Sequence, residues 1–500
     1  MLEAFGQGAA GIFQPVVLLV ILAGTFVSTI LGIIPGLGGV LAIVLILPFV
    51  FRADPMVILP LISAIGATSY AGGAMCAILL GVPGTPANAA TILDGFPMTR
   101  KGEASRAIGA AITASGLGGI LPVFFAFLMM PLVIPFVLNF RSAEMAFLIL
   151  LGLCFLAVLT RGSVIKGLIS AGIGLLISCI GFQAKTGVPR FAFGNIYLYD
   201  GISITVIILA IFALPLLAEL SAGGKSVAPP NKYAVGTYRQ MLRGIVDVFR
   251  HWWLFLRCSI LGYIVGIIPG VGAESAVWVA YGHAKQSSKS PEKFGTGVVE
   301  GIIAPESANN AKEAGGMLTT LAFGIPGSGM MVLYLAAFIM LGIDPGPKML
   351  TDHTALCFAM LQTIALSNVF AAVICFFGAP FLIKITHVPV VYLFCFLIPI
   401  VFIGVWAYSK IVLDLFILVI IGVLSLFLRR YGYSLSALIL GFILGGLFEY
   451  YLWHALDLSG VLFFLTPISI ILIIAIVATL TQNLWGPVVK HWFKKIKRLS

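Results

Sequence analysis

The stretch GGAMCAILLGVPGT at residues 72–85 decides the fold, because the chain repeats it as GGMLTTLAFGIPGS at residues 315–328. A second pair precedes it, GIIPGLGG at residues 32–39 and GIIPGVGA at residues 266–273. The offsets are nearly equal, 243 residues (72 to 315) for the first pair and 234 residues (32 to 266) for the second. Two ordered motif pairs at nearly one spacing predict an internal duplication.

The composition places this duplication in a membrane. Of 500 residues, 60% are hydrophobic and only 9% are charged, which excludes a soluble globular domain. A membrane-spanning helix needs roughly 20 apolar residues, and long uncharged runs recur along the chain. We therefore predict an all-α integral membrane protein with about 12 transmembrane segments. The runs cover residues 14–50, 108–140, 145–160, 354–383, 388–408 and 458–489.

The charges and cysteines give no sign of other partners. Lys and Arg gather in the cytoplasmic loops of membrane proteins, which accounts for most of the formal net charge of +11, so no nucleic-acid partner is predicted. The seven cysteines stand singly, without a CxxC pair, and predict neither a disulfide framework nor a metal site.

The loop charges predict that the two halves have opposite orientations. The basic segment TRKGEASR (99–106) follows the second motif of the first half, whereas HAKQSSKSPEKF (283–294) lies between the motifs of the second half. If basic loops face the cytoplasm, equivalent loops face opposite sides, as in inverted-topology repeats. The predicted organisation is membrane repeat 1, a cytoplasmic linker with an interfacial segment, membrane repeat 2 and a basic cytoplasmic tail, at 12–220, 221–250, 251–489 and 490–500.

The Pro-Gly motifs predict broken or re-entrant helices. A break at membrane depth persists only where protein, water or a ligand satisfies the freed backbone groups, and a resumed helix presents free N–H donors that suit an anion. We expect a break at Val82–Thr85, a helix that opens near Pro86, and Thr85 as its N-cap. GIPGSGM at residues 324–330 offers the same geometry, with Ser328 as the counterpart of Thr85. The alternative is ordinary loops at helix ends or proline kinks. The predicted substrate-binding residues of the breaks are Pro35, Gly36, Gly84, Thr85, Pro86, Asn88, Gly270, Gly327 and Ser328.

A polar cluster at residues 304–316 provides further candidates. Glu306, Asn309 and Asn310 are spaced to share one helix face. A carboxylate at membrane depth usually has a partner or a task, so Glu306 is a candidate for a coupling cation or proton, and the two asparagines are candidates for substrate or cation. Asp94 is a second candidate for the cation, or else caps a helix end. The cluster as a whole is alternatively an exposed cytoplasmic helix end.

The chain shows no motif of a known catalytic centre. GxSxG, HExxH and Walker A patterns are missing, and no histidine is placed by the sequence to activate Ser328. We therefore predict no enzyme, no catalytic residue and no cofactor beyond a possible coupling cation, Na⁺ or H⁺. An intramembrane enzyme and a channel-like organic-anion permease that acts without a binding protein remain the alternatives.

The motifs resemble one family closely. GIIPGLGG, GVPGTPANAATILDGFPMTRKGEASRAIG, GIIPGVGAESAVWVAYG, APESANNAKEAGG and LAFGIPGSG are similar to the large membrane subunit of tripartite tricarboxylate transporters, the TctA type, over about residues 12–464. The resemblance implies a multi-pass protein of the bacterial inner membrane that takes up carboxylates by cation symport. It also implies two partners, a small four-helix membrane subunit and a periplasmic solute-binding protein.

The helix breaks also lead to an expected mechanism. We expect the breaks to converge near the midplane and to move by an elevator-type motion against a scaffold of long apolar helices, 107–140 and 355–383. The run after Ser328 is bulkier than the small-residue runs often found in the family, so the resemblance does not single out citrate, and a smaller or more apolar carboxylate is an alternative.

Overall fold

The computed structural model describes residues 1–34, 37–159, 163–183, 185–223, 237–269, 272–385 and 390–481. Its described secondary structure is helical except for two short antiparallel strands, β1 (Gly181–Phe182) and β2 (Pro189–Arg190). The prediction of an all-α membrane protein is confirmed at this level.

In the described ranges before residue 224 there are ten α-helices. They are α1 (Leu2–Ile12), α2 (Pro15–Ile33), α3 (Gly38–Ile46), α4 (Pro55–Leu80), α5 (Ile92–Arg100), α6 (Ala104–Val137), α7 (Ser142–Leu159), α8 (Val164–Ser178), α9 (Ile204–Ile208) and α10 (Leu214–Gly223).

The described helices of the second half continue this numbering. They are α11 (Tyr238–Arg250), α12 (Trp252–Ile267), α13 (Gly272–Ser287), α14 (Glu300–Phe323), α15 (Gly329–Met340), α16 (Pro347–Asp352), α17 (Thr354–Ile385), α18 (Val390–Ser409), α19 (Val412–Arg430), α20 (Leu435–Ser459) and α21 (Pro467–Leu480). Shorter helical turns lie at Leu47–Arg52, Pro86–Asn88, Ile196–Asp200, Leu209–Ala213, Pro291–Lys293 and Gly460–Leu465.

Six of the described helices are long and apolar enough to cross a membrane. They lie at Pro15–Ile33, Pro55–Leu80, Ala104–Val137, Thr354–Leu382, Val412–Arg430 and Leu435–Leu465. Further apolar helices of 10–17 residues accompany them, as expected where breaks divide a span into shorter pieces. The number of about 12 segments stays a prediction.

The chain divides into two compact units that do not follow the boundary between the repeats. The first unit comprises Met1–Val137 and Ser203–Leu426, and the second comprises Leu138–Ile202 and the described residues from Phe427 onward. Each unit therefore takes part of its chain from both halves. The described residues of all four Pro-Gly motifs belong to the first unit.

Within the first unit, the two motif pairs form the same local structure. The helices α2 and α12 end at the equivalent residues Ile33 and Ile267, and the next helices, α3 and α13, begin at Gly38 and Gly272. The duplication read from the sequence is therefore also present in the backbone. Whether the two copies are inverted across the membrane stays a prediction.

Glycines hold the two copies of this structure together by equivalent contacts. A Cβ added to Gly84 would collide with the carbonyl of Gly32 and would lie 2.5 Å from the Cα of Gly73. The corresponding atom on Gly327 would lie 2.8 Å from the carbonyl of Gly266 and 2.6 Å from the Cα of Gly316. The first break thus packs against α2 and α4, and the second packs against α12 and α14. At each of these contacts only glycine fits.

The division into a moving assembly and a scaffold of long apolar helices stays a prediction. The predicted segments 107–140 and 355–383 correspond to α6 and α17, and both belong to the unit that contains the breaks. Gly118 and Gly119 explain this, because they let α6 approach the backbone of Ser307 on α14 and the side chain of Asn368 on α17. Hydropathy alone did not reveal these close approaches.

The second unit is built from α7, α8, α20 and α21. Gly174 and Gly441 allow α8 and α20 to pack backbone to backbone. At one end Arg190 forms a bidentate ion pair with Glu449, at 2.8 and 2.9 Å, which ties the strand pair to α20. Nothing in this unit corresponds to the Pro-Gly motifs.

Candidate functional site

Each half breaks its chain directly after a left-handed glycine. The helix α4 ends at Gly81, with φ of 68°, and α14 ends at the equivalent Gly324, with φ of 66°. Only glycine adopts this backbone conformation readily. The chain then turns back beside the helix that it has just left, so Gly84, Thr85 and the segment Gly324–Ser328 are buried. The Ile-Pro-Gly motif of the second half is therefore a break inside the protein and not an exposed loop at a helix end, whereas in the first half Val82 and Pro83 are half-buried and Pro86 is exposed.

The first break differs from its prediction in detail. Pro86 opens a single 3-10 turn, Pro86–Asn88, and the next helix, α5, begins only at Ile92. Thr85 occupies the N-cap position without a capping hydrogen bond and instead donates its hydroxyl to Asn88 Oδ1 at 2.6 Å. The expected N-cap role of Thr85 is wrong because Asn88 turns inward and takes up that hydroxyl.

The second break has the geometry that the sequence predicted. Ser328 is the N-cap of α15, and its Oγ accepts a hydrogen bond from the backbone N–H of Met331 at 3.4 Å. The backbone N–H of Gly327 donates to Thr320 Oγ1 at 3.4 Å. Ser328 is buried, with 5% of its surface exposed, so the N-terminus of α15 opens inside the protein.

The second motif pair supplies a further helix N-terminus to each break. Gly38, the first residue of α3, lies beside Thr85, and Gly272, the first residue of α13, lies beside Ser328. Two chain segments thus begin at each break, and the first N–H groups of a helix have no partner within it. The candidate residues Pro35, Gly36 and Gly270 lie outside the described residues.

The two halves contact each other reciprocally. Thr91 donates to Glu306 Oε1 at 2.5 Å. Tyr334, the equivalent of Thr91, donates to the backbone carbonyl of Ile62 at 3.2 Å, next to Ser63, the equivalent of Glu306. Each half thus places an equivalent side chain against the equivalent stretch of the other half's broken helix. Among the described residues no hydrogen bond joins the two breaks directly, since each is tied to the broken helix of the other half.

Glu306 is fully buried where the first break meets α14. Its Oε1 accepts hydrogen bonds from Thr91 at 2.5 Å and from Asn88 Nδ2 at 3.2 Å. The same Asn88 amide donates to the backbone carbonyl of Tyr70 at 3.1 Å. Within the described chain, Glu306 Oε2 has no hydrogen-bond partner and the carboxylate has no cationic partner, which is a costly state for a buried charge.

The two neighbouring asparagines are also incompletely satisfied. Asn309 lies beside Glu306, yet neither polar atom of its side chain has a well-formed hydrogen bond to a described residue. Asn310 Nδ2 donates to the carbonyl of Ser115 at 3.0 Å and to Asn368 Oδ1, whereas its own Oδ1 lacks a partner in the described structure. Buried polar atoms without partners are rare and call for a ligand, an ion or water.

A second group of charges on α14 lies where the halves cross. Lys312 pairs with Glu313, and Tyr70 joins them by donating to Glu313 Oε1 at 2.7 Å and accepting from Lys312 Nζ at 3.1 Å. Lys312 and Glu313 are each only 1% exposed. The sequence reading assigned no role to this pair, and an adjacent Lys and Glu give no signal of burial.

The burial of α14 decides between the two readings of the polar cluster. All residues from Gly301 to Ala322 are buried, so an exposed cytoplasmic helix end is wrong. Its polar side chains contact neighbouring segments instead: Glu306 meets the first break, Glu313 meets Tyr70 on α4, and Asn310 meets α6 and α17. The cluster contains two carboxyl groups, Glu306 and Glu313, and one amine, Lys312, so it has one more acidic than basic side chain.

Asp94 lies apart from Glu306 and has a full set of partners. Its Oδ1 accepts from the backbone N–H groups of Gly295, Gly297 and Val298 at 2.8–3.0 Å, and its Oδ2 accepts from the Tyr281 hydroxyl at 2.9 Å. These contacts fasten the loop that leads into α14. They favour a structural role for Asp94 over cation binding.

Within the described part of the chain, the histidines and cysteines form no cluster of the kind that holds a metal ion. Among the described residues no group of three or more His, Cys, Asp or Glu could hold a metal ion. The Ser328 hydroxyl makes its hydrogen bond with backbone, and within the described structure no histidine pairs with it.

These features define a class of protein. Broken helices in corresponding positions of two repeats, with buried helix N-termini and unsatisfied polar groups between them, are typical of membrane transport proteins. Comparison with known families names the class further: residues 18–440 match the tripartite tricarboxylate transporter TctA family. The chain belongs to this family, and is a multi-pass membrane protein of the kind that forms the large subunit.

Two relatives come from Agrobacterium vitis. The chain is 32% identical over 451 residues to the "Uncharacterized 52.8 kDa protein in TAR-I ttuC' 3'region", covering 89% of each chain. It is also 32% identical over 198 residues to the "Uncharacterized protein in TAR-II ttuC' 3'region", covering 40% of this chain and 82% of the relative. No solved structure matches the chain.

Proposed function

We propose that the protein is the large transmembrane subunit of a binding-protein-dependent secondary transporter that imports organic acids together with a monovalent cation. The family supports transport of carboxylates. The proposal includes the partners that the family normally has, a small membrane subunit and a solute-binding protein, and the bacterial inner membrane as its location.

The proposal rests on Glu306, a buried carboxyl group that has no cationic partner among the described residues. Lys312 and Glu313 neutralise each other, which leaves Glu306 as the unbalanced charge of the cluster. A buried carboxylate without a cation is strongly disfavoured, so one proton or one Na⁺ at Glu306 would restore neutrality. Oxygen donors for Na⁺ lie close by, since Glu306 Oε2 and Asn309 Oδ1 have no partner among the described residues.

The substrate carboxylate is proposed to bind at the breaks. At the second break the Ser328 hydroxyl accepts from Met331 N–H, so its own proton is available to an anion. The first-turn N–H groups of α13 and α15 open beside it and suit a negative charge. The first break, with Gly84, Thr85, Pro86 and the second motif at Gly38, occupies the equivalent position in the other half, but its Thr85 hydroxyl already donates to Asn88.

The cation and the substrate would be linked by charge. An organic acid brings negative charge into a unit that already has a negative excess at Glu306, so binding both anions without a cation costs several kcal/mol in a medium of low dielectric constant. A cation at Glu306 lowers this cost. Elevator-type movement of the whole unit that contains the breaks would then carry both together.

Uptake measurements on Glu306→Gln test the proposal. Cells that express the complete system are given radiolabelled citrate, succinate and benzoate under an imposed Na⁺ or proton gradient. Since glutamine resembles a neutralised glutamate, we expect gradient-driven accumulation to be lost, whereas gradient-independent exchange of the same acid persists. Glu292→Gln, which removes an exposed carboxylate from a loop, serves as the control. Normal gradient-driven accumulation in Glu306→Gln would contradict the proposal.

A further inference from the structure

The helix α11 presents a basic groove that the transport site does not use. The groove has a volume of about 510 Å³ and lies between α11 and the start of α6. Four of its side chains are arginines, Arg106, Arg239, Arg243 and Arg250, and its two acids are Glu103 and Asp247.

The ion pairs of the groove leave an excess of positive charge. Arg106 forms an ion pair with each of the two acids, at 2.6 Å to Asp247 and 3.1 Å to Glu103. Arg250 lies 3.9 Å from Asp247 and is largely exposed. Arg239 and Arg243 are exposed and, within the described chain, form no ion pair. Two neighbouring guanidinium groups on one helix face, i and i+4, therefore point into an open groove.

One face of α11 is fixed to the protein by small residues. A Cβ added to Gly109 would collide with the backbone carbonyl of Met241, and one added to Gly244 would collide with that of Arg106. The two helices α6 and α11 thus pack backbone to backbone. This contact fixes the direction in which the arginine face of α11 points.

A second face of α11 is apolar and exposed. Leu242, Val246 and Phe249 have 52%, 47% and 56% of their surface exposed, and the stripe continues into Trp252 and Trp253 at the start of α12. Leu242 and Val246 also line the groove. A helix with an exposed apolar stripe beside a row of arginines is typical of a helix that lies in the membrane interface, with tryptophans at the headgroup level.

We propose that this groove binds the headgroup phosphate of an anionic phospholipid. The free guanidinium groups of Arg239 and Arg243 would hold the phosphate, because arginine offers paired N–H donors that match its oxygens. Leu242 and Val246 would contact the beginning of the acyl chains. The combination of apolar and basic lining favours a lipid over a free anion, which would gain nothing from the apolar side chains.

Native mass spectrometry of the detergent-purified full-length protein tests this assignment. Titration with phosphatidylglycerol or phosphatidylcholine is expected to show preferential binding of phosphatidylglycerol to the wild type. Arg239→Gln/Arg243→Gln should weaken that binding about 25-fold, since each basic residue near an anionic lipid contributes roughly fivefold. Both arginines are exposed, so the variant should remain folded and monodisperse. The matched control Lys285→Gln/Lys289→Gln removes two charges from another exposed basic surface and should bind normally.

Four results would overturn the proposal. The first is equal binding of the two lipids by the wild type, and the second is an equal loss in both double variants, which would indicate general attraction. The third is displacement of the lipid by excess inorganic phosphate alone, which would assign the groove to a free anion. Unchanged lipid binding in Arg239→Gln/Arg243→Gln, with loss of a copurifying small subunit, would assign it to a protein partner and equally refute the lipid.

Discussion

The substitution Gly327→Ala tests the tight packing of the second break against α12 and α14. An added Cβ would lie 2.6 Å from the Cα of Gly316 and 2.8 Å from the carbonyl oxygen of Gly266. Carbon atoms in contact settle at roughly 3.5–4.0 Å, so the break would have to retreat by about 1 Å. Both obstructing groups are backbone, and neither can rotate away.

The expected loss of stability follows from this geometry. Overpacking a well-packed interior costs about 1–3 kcal/mol, and two backbone collisions place Gly327→Ala near the upper limit. The same reasoning applies to Gly84→Ala, where the Cβ would lie 2.5 Å from the Cα of Gly73 and would also meet the carbonyl of Gly32. The two variants should therefore show similar losses.

The detergent-purified variants are heated, and the folded fraction that remains is measured by size-exclusion chromatography. Uptake is measured in cells. Gly282→Ala is the matched control, because Gly282 lies within α13 of the same unit and an added Cβ would meet nothing within 4 Å. We expect the control to be neutral or slightly stabilised, as alanine favours helix over glycine by up to about 1 kcal/mol. Wild-type stability and uptake in Gly327→Ala would refute the close approach.

Three further substitutions test other contacts of the first unit. Lys312→Met should cost about 3–5 kcal/mol of unfolding free energy, because it leaves Glu313 buried without its cation. The double variant Lys312→Met/Glu313→Gln should recover much of that loss. If the double variant lost the sum of the two single-variant costs, the pairing would be contradicted. Asp94→Ala should loosen the loop before α14 and cost about 1–3 kcal/mol or more, since several N–H donors lose their acceptor; unchanged protease resistance of the loop would count against this. The hydrogen bond from His251 to Glu300 raises the pKa of His251, so its stabilisation is complete below about pH 6.5 and is lost as the pH rises through the raised value. His251→Gln should accordingly lower the thermal stability at about pH 6 by less than about 1 kcal/mol and leave it unchanged near pH 9; an equal effect at both pH values would exclude the ion pair.

The sequence predicted those features that depend on local backbone chemistry. Glycine and proline alone fix where a helix ends, and both Gly81 and Gly324 terminate helices as the repeated motif indicated. Ser328 caps the resumed helix as predicted. The equivalent prediction failed for Thr85, because its hydroxyl is engaged by Asn88, whose position depends on contacts far along the chain.

The roles of the charged residues were not determined by the sequence. Glu306, Lys312 and Glu313 follow one another within eight residues of a charged segment that also fits an exposed loop end. Their burial results from the helices packed around α14, several of which approach through glycines. The hydrogen bond from Asn88 to Glu306 joins residues 218 positions apart. No sequence pattern within one segment predicts such a contact.

By itself, the sequence determined that the protein is a helical membrane protein, that it is duplicated and where its helices break, because hydropathy, repetition and the Gly-Pro motifs act locally. The tertiary structure alone decided which helices share a unit with the breaks, that α6 and α17 are among them, and that one carboxylate lacks a counter-charge. These properties depend on the distances between segments remote in the chain. Backbone groups can come that close only where both surfaces match, which no single stretch of sequence specifies.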